Sequence, residues 1–258
     1  MDLSLDIIDH IFSFLRSHPN SLIACSEAHP NFSLIAERHQ FYHIVIHTGF
    51  TEFAYSFKPT CLVELISKTP RIVNHVRVLQ IEFNSNYRSR DLITPGPLLE
   101  DIALVLSRFP LIECFMLSTM NTELTWQNLP QGFRTAVEDC LHLPTLQEAH
   151  LGDLEFPSSP LDHNTNFFSL TGDSQIPECS DPDTTYPQLK TLSVKRTDNR
   201  LRIWAKRCIG NLQSLECHHY EACTELLEAC SDTLQNLHIG LWDKDCKLSS
   251  CYRGMPSF

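Results

Sequence analysis

Apolar residues are spaced differently in the first 47 positions of the chain and in the rest of it. Between Leu3 and Leu15 they recur at helical spacing, and at about 100° per residue they make two stripes. Leu5, Ile8, Phe12 and Leu15 form one stripe and Ile7, Ile11 and Phe14 the other; Asp6, Asp9, His10, Ser13 and Arg16 fill the polar arc. A surface helix ordinarily needs one stripe about 100° wide. Here the apolar arc covers about half the helix. The short segments that follow offer little chain to bury it, so the pattern predicts a partner. The helix is expected over Leu5–Leu15, with Ser4 as N-cap and Asp6 near its positive end. His18-Pro19-Asn20 breaks it, and a second helix is expected from Asn20 or Ser21 to about Ala28. His29-Pro30-Asn31 is a second break. A third helix follows from about Phe32 through Arg38, and then a β-like run over Phe41–His47 bounded by Thr48-Gly49.

Beyond Gly49 a unit apolar-x-x-apolar-x-apolar recurs, usually after a helical stretch. It reads Val76, Leu79, Ile81; Ile112, Phe115, Leu117; Leu146, Ala149, Leu151; Leu189, Leu192, Val194; Leu212, Leu215, Cys217; and Leu234, Leu237, Ile239. First positions are separated by 36, 34, 43, 23 and 22 residues. Helices are expected over Cys61–Ser67, Leu98–Ser107, Phe133–Leu141, Leu201–Ile209 and Cys223–Cys230, each with apolar residues at i, i+3 and i+4, as in Ile102, Val105 and Leu106. The implied architecture is α/β: short parallel strands backed by helices, each unit burying its neighbour's apolar face. The stretch 153–183 is an insertion rich in acid and proline, with Asp153, Glu155, Asp162, Asp173, Glu178, Asp181 and Asp183 and no Lys or Arg. Its composition points to disorder, against which Phe156, Phe167 and Phe168 offer apolar groups for docking. Lys244–Phe258 carries no repeat pattern and no capping helix.

Positions 3 to 15 read Leu-x-x-Asp-Ile-Ile-x-x-Ile-Phe-x-x-Leu, which resembles the opening of the F-box. The helix-break-helix-break-helix layout up to Ile46 matches the rest of that module. Two departures are Ser4, where the family usually has Pro, and Phe32, where a Trp often follows a basic pair. The later units resemble an irregular leucine-rich-repeat solenoid; the last two intervals fall within the roughly 20–29 residues of such repeats. The resemblance divides the chain into an F-box-like helical module, 1–47, and a leucine-rich-repeat-like solenoid, 48–258, carrying the insertion. It implies a substrate receptor of a cullin-RING ubiquitin ligase. The N-terminal helices would dock on the Skp-family adaptor and, through it, on cullin, while the solenoid would bind a target protein. The adaptor contacts it implies are Leu3, Leu5, Ile7, Ile8, Ile11, Phe12, Phe14 and Leu15, with Leu22, Ile23, Leu34 and Ile35 building the small core. A protein-interaction scaffold with no ubiquitin role is the alternative.

Composition narrows the classes. With 31 acidic and 20 basic residues and a formal net charge of −11, the chain lacks the clustered cations that nucleic-acid binding needs. Asp2, Asp6 and Asp9 interrupt what would be a secretory h-region, and no run approaches a membrane span. Eleven cysteines without paired spacing are expected as reduced thiols, so the compartment expected is cytosol or nucleus. His39, His43 and His47 would share a helix face only if the helix ran through Ile44-Val45-Ile46, which argues against it. Cys217-His218-His219 with Cys223 and Cys230 lacks zinc-pair spacing. With eight glycines there is neither a phosphate-binding glycine loop nor a G-x-S-x-G elbow. No metal, cofactor or catalytic residue is therefore expected, the remaining enzymatic option being a Cys-His pair around Cys217–Cys230.

Overall fold

The computed structural model describes residues 4–48, 56–84, 96–120, 126–152, 167–171, 189–194, 211–217, 227, 230 and 232–239. Three short helices open it: α1 (Leu5–Ser13), α2 (Pro19–Ala28) and α3 (Pro30–Gln40). Both prolines, read from the sequence as breaks, occupy the first turns of the helices that follow. Proline has no N–H to lose there and its φ is preset for helix. His29 caps α3 through Nδ1, which accepts from the Asn31 N–H at 3.1 Å. Ser4 stands at the N-cap of α1, but its side chain makes no capping bond; its carbonyl accepts from Ile7 and Ile8 instead.

Among the described residues nine parallel strands follow: β1 (His43–His47), β2 (Ser56–Phe57), β3 (Val78–Asn84), β4 (Cys114–Met120), β5 (Glu148–Gly152), β6 (Phe167–Thr171), β7 (Thr191–Val194), β8 (Ser214–Cys217) and β9 (Asn236–Ile239). They form one sheet in the order β2-β1-β3-β4-β5-β6-β7-β8-β9. β3 pairs with β1, so the connection from β2 passes over β1; from β3 to β9 each described strand lies beside its predecessor in sequence. The chain is thus a mixed α/β protein. The β-like run at the end of the helical segment, β1, is an integral strand paired to β3 over its whole length.

Register explains the recurring triplets. Ile44, Leu79, Phe115, Ala149, Phe168, Leu192, Leu215 and Leu237 form a single row across the sheet. Because strand side chains alternate, this row and the positions two residues on point to one side. All fifteen triplet positions from Val76 to Cys217 are at most 1% exposed. The same side carries α4 (Pro59–Lys68), α5 (Gly96–Leu106) and α6 (Gln131–Leu141), which bury Leu62 and Ile66, Leu99, Ile102 and Val105, and Phe133, Val137 and Leu141. Sheet and helices share one continuous core. The opposite side of the sheet carries the row Val45, Gln80, Met116, His150, Ser169, Ser193, Glu216 and His238, of which Ser169 and Ser193 are buried.

Backbone bonds repeat with the units. At successive turns one carbonyl accepts from two consecutive N–H groups of the next unit. Tyr42 takes Arg77 and Val78, Arg77 takes Glu113 and Cys114, and Glu113 takes Gln147 and Glu148, at 2.7 to 3.0 Å. Lys190 and Gln213 do the same farther on. Thr145 and Thr233, each just before a triplet, donate to the carbonyls of Ile112 and Leu212 at 2.8 Å, the first triplet positions of the preceding units. Equivalent positions thus make equivalent bonds, which is how a periodic chain satisfies its buried backbone groups.

Two expectations change. β6 lies inside the stretch expected as an insertion and turns the 43-residue interval into two, so that Ala149, Phe168 and Leu192 are spaced by 19 and 24 residues. The last triplet is less enclosed than the others: Leu237 is 45% and Ile239 40% exposed. Among the described residues β9 has a sheet neighbour on one side only, β8. The helices expected at Leu201–Ile209 and the segment Lys244–Phe258 lie outside the described residues. So does most of Cys223–Cys230, of which Leu227 and Cys230 are helical.

Phe168 is 1% exposed in the middle of the sheet. Phe168→Ala is expected to lower unfolding free energy by about 3–5 kcal/mol in urea titrations, the usual cost of deleting a buried phenyl. Thr233→Val, which keeps the shape but loses the bond to Leu212, is expected to cost about 1 kcal/mol in the same measurement.

Candidate interaction surface

The three helices enclose a small core of their own: Ile8, Phe12, Leu22 and Ala36 are buried, with Leu15, Cys25, Phe32 and Ile35 packed around them. This core decides which stripe of α1 faces inward. Phe12 meets Phe32 edge-on at 5.7 Å between ring centroids and His39 at 6.5 Å. Asp9, one helix turn behind, pairs with Arg38 and takes a bond from His39 Nε2 at 2.7 Å. His39 Nδ1 in turn accepts from Arg16 Nε at 3.0 Å, which assigns the neutral tautomer with its proton on Nε2. Arg16 lies over the Tyr42 ring at 3.6 Å, tying the end of α1 to the entrance of β1. Glu37 of α3 reaches across to Arg71, at 2.6 and 2.8 Å, joining the helical unit to the strand-and-helix body.

The other stripe is left outside. Ile7 is 49%, Ile11 46% and Phe14 68% exposed, at i, i+4 and i+7 spacing. Leu5, which shares a stripe with Ile8 and Phe12 by spacing, is 60% exposed at the start of the helix. Ile23 and Leu34, expected in the small core, are 41% and 60% exposed, because Leu22 and Ile35 already fill the inward positions of their helices. Leu3 lies outside the described residues. Six of the nine exposed large apolar side chains among the described residues therefore fall before residue 35. Of the predicted contact residues, Leu5, Ile7, Ile11 and Phe14 are free to touch another protein, whereas Ile8 and Phe12 are committed to the fold and Leu15 is half-buried against the small core.

Magnitude sets what this surface can do. Fully burying one such side chain stabilises by roughly 1.5–3 kcal/mol, and these are already half-covered. Ile7, Ile11 and Phe14 together would contribute roughly 3–5 kcal/mol. A micromolar complex needs about 8 kcal/mol net of association costs, so the stripe requires help from neighbouring exposed apolar groups. Leu5, Ile23 and Leu34 are that kind of group.

Nucleophilic chemistry finds little support. Among the described residues Cys25, Cys61, Cys114 and Cys140 are free thiols. Burial pushes Cys140 and Cys230 up, and burial together with the Glu148 charge pushes Cys114 up to about 12, so these three stay protonated. Cys217 and Cys230 are core residues, as expected; His218, His219 and Cys223 lie outside the described residues. His39, His43 and His47 do not converge. α3 ends at Gln40, His43 opens β1 beside Gln80, and His47 pairs with Glu82 at 2.9 Å. One cluster was not foreseen: Cys114, Glu148 and His150 meet on the open side of the sheet. Among the described residues no helix is long and apolar enough to cross a membrane. No protein-family model and no curated protein matches this chain.

His39 makes the helical unit sensitive to pH. Burial, aided by the charges of Arg16 and Arg38, lowers its proton affinity more than Asp9 raises it. The unfolded chain then takes up this proton first as pH falls. The contact contributes fully above about pH 6.5 and less as the solution becomes more acid. His75, lowered by burial and by the charges of Arg38, Arg77 and Arg71 against Glu37, and His43, lowered by burial, add to the same trend. His39→Gln can still donate to Asp9 but does not titrate. Its urea midpoint is expected to fall less than the parent's between pH 7.5 and 5.5; equal falls would remove His39 as a contributor.

Proposed function

We propose that the chain is an F-box-like substrate receptor of a cullin-RING ubiquitin ligase, in which α1 docks on a Skp-family adaptor and the repeating α/β body holds a target protein. The observation that carries the reading is the outward stripe Ile7, Ile11 and Phe14 on a helix whose other stripe is locked into a separate small core. An apolar stripe held rigidly outward suits a helix-in-groove contact, in which i, i+4 and i+7 side chains are the anchors. The Leu-x-x-Asp-Ile-Ile-x-x-Ile-Phe pattern selects the adaptor from among possible partners by its resemblance to the F-box.

The body supports the second half of the proposal. Its units stack in sequence order with equivalent bonds at equivalent positions, as in an irregular leucine-rich-repeat solenoid, and the side of its sheet away from the main core carries a mainly polar row. Such a face can present many side chains to a protein ligand. A receptor of this kind acts by proximity: holding target and adaptor on one rigid chain raises the target's effective concentration at the ligating enzyme. It needs no catalytic residue and no cofactor of its own. Cullin would be reached through the adaptor, in cytosol or nucleus.

Ile11 is exposed, so Ile11→Asp is expected to leave circular dichroism and the urea midpoint of the chain unchanged. Co-purification with the Skp-family adaptor is expected to fall at least ten-fold, since the aspartate would have to be buried unpaired. Wild-type chain that fails to retain the adaptor, or a folded Ile11→Asp chain that retains it equally, would overturn the proposal and favour a scaffold without a ubiquitin role.

A further inference from the structure

The cluster on the open side of the sheet follows from register. Cys114 and Glu148 each stand one residue before an inward row position, Phe115 and Ala149, and they are direct partners across β4 and β5. His150 is two residues beyond Glu148 and so projects to the same side. One ligand-type atom from each of the three lies within 4.8 Å of the other two. His150 Nε2 is 3.7 Å from a Glu148 carboxylate oxygen. The Phe167 ring of the adjacent strand packs on the imidazole at 4.8 Å between centroids, tilted by 38°, and limits its rotation. Cys114 is buried at 8% exposure and forms the floor, while Glu148 and His150 are open to solvent on its rim.

We propose that Cys114, Glu148 and His150 bind a zinc-class divalent ion, three protein ligands with the fourth position open to water or to an outside donor. Thiolate, imidazole and carboxylate together suit a borderline-soft ion and disfavour the hard ions calcium and magnesium, which take oxygen ligands. Bonds of about 2.0–2.3 Å in a tetrahedron place ligand atoms roughly 3.3–3.6 Å apart. The His150–Glu148 pair is already close to that at 3.7 Å, and with all three atoms within 4.8 Å no separation in the cluster needs to close by more than about 1.5 Å. A rotamer shift of the exposed Glu148 side chain supplies such a movement without displacing a strand or the His150 ring. Burial and the Glu148 charge, which keep the thiol protonated, are the two effects a divalent cation offsets; on binding, the thiol proton passes to solvent and the sulfur becomes the ligand. The site does not rest on adaptor docking, since its residues lie on β4 and β5 and not on α1.

Cobalt(II) tests it, because thiolate coordination gives a sulfur-to-cobalt charge-transfer band and tetrahedral geometry gives intense visible bands. The full-length chain, stripped with chelator and kept reduced, is titrated with cobalt alone and then with zinc. One equivalent of cobalt is expected to develop both bands, and zinc to abolish them. Cys114→Ser is expected to lose the charge-transfer band, and Glu148→Gln, on the exposed rim, to weaken affinity more than ten-fold while keeping its metal-free circular dichroism. Glu148→Gln serves if Cys114→Ser fails to fold. Absence of the bands in the wild-type chain would overturn the proposal. So would bands of unchanged strength in both folded variants, which would place the metal on other cysteines.

Discussion

A carboxylate in the middle of α1 decides which half of that helix another molecule can reach. Asp9 accepts from His39 and pairs with Arg38, both at the end of α3, and Phe12 sits one turn away against Phe32. Rotating α1 to bury Ile7 and Ile11 would pull Asp9 off its two donors and expose Phe12. Asp9 is held below the usual carboxylate range: burial alone would raise it, but the bonds from His39 and Arg38 and the Arg38 charge outweigh that effect. The helical unit thus spends its limited interior on one stripe, and the second is excess by construction. A module of about 40 residues has too little volume to do otherwise.

The body obeys a different constraint. Parallel strands in one register place every second side chain on one side, and a slip of one residue would expose the whole inward row. The triplets and the paired turn bonds at Tyr42, Arg77 and Glu113 enforce that register repeatedly. The same alternation frees the other row, from Val45 to His238, from any role in the main core. Residues there can be polar, ionisable or ligand-bearing without breaking the main core, as Ser193 is when it donates to Glu216, and this is where Cys114, Glu148 and His150 gather.

Much of this was legible in the residues. The triplets place their six strands, because a strand backed by helices on one side needs apolar groups at alternate positions. α4, α5 and α6 fall where their i, i+3, i+4 spacing puts them. β6 was missed because Thr165 stands where a triplet would begin with an apolar residue, and because acid and proline flank the run. Pro19 and Pro30 look like helix terminators until one asks whether the helix that follows could use them. The outward stripe of α1 was visible as an excess, but which stripe faced out depended on Asp9 meeting His39 across 30 residues, a pairing that periodicity does not report. The Cys114 cluster could have been found from the triplets alone, since both Cys114 and Glu148 immediately precede a second triplet position. Their separation of 34 residues hides them from any search for local ligand spacing.

The central claim is that the exposed stripe of α1, and not the open side of the sheet, receives the Skp-family adaptor. Amide hydrogen exchange on the full-length chain, with and without saturating adaptor, tests this directly, because binding slows local opening where contacts form. Docking on α1 is expected to add protection across residues 5–16 and in the neighbouring parts of α2 and α3, with the strands β3 to β8 unchanged. Protection confined to the strands, or none on α1 while adaptor is bound, would contradict it.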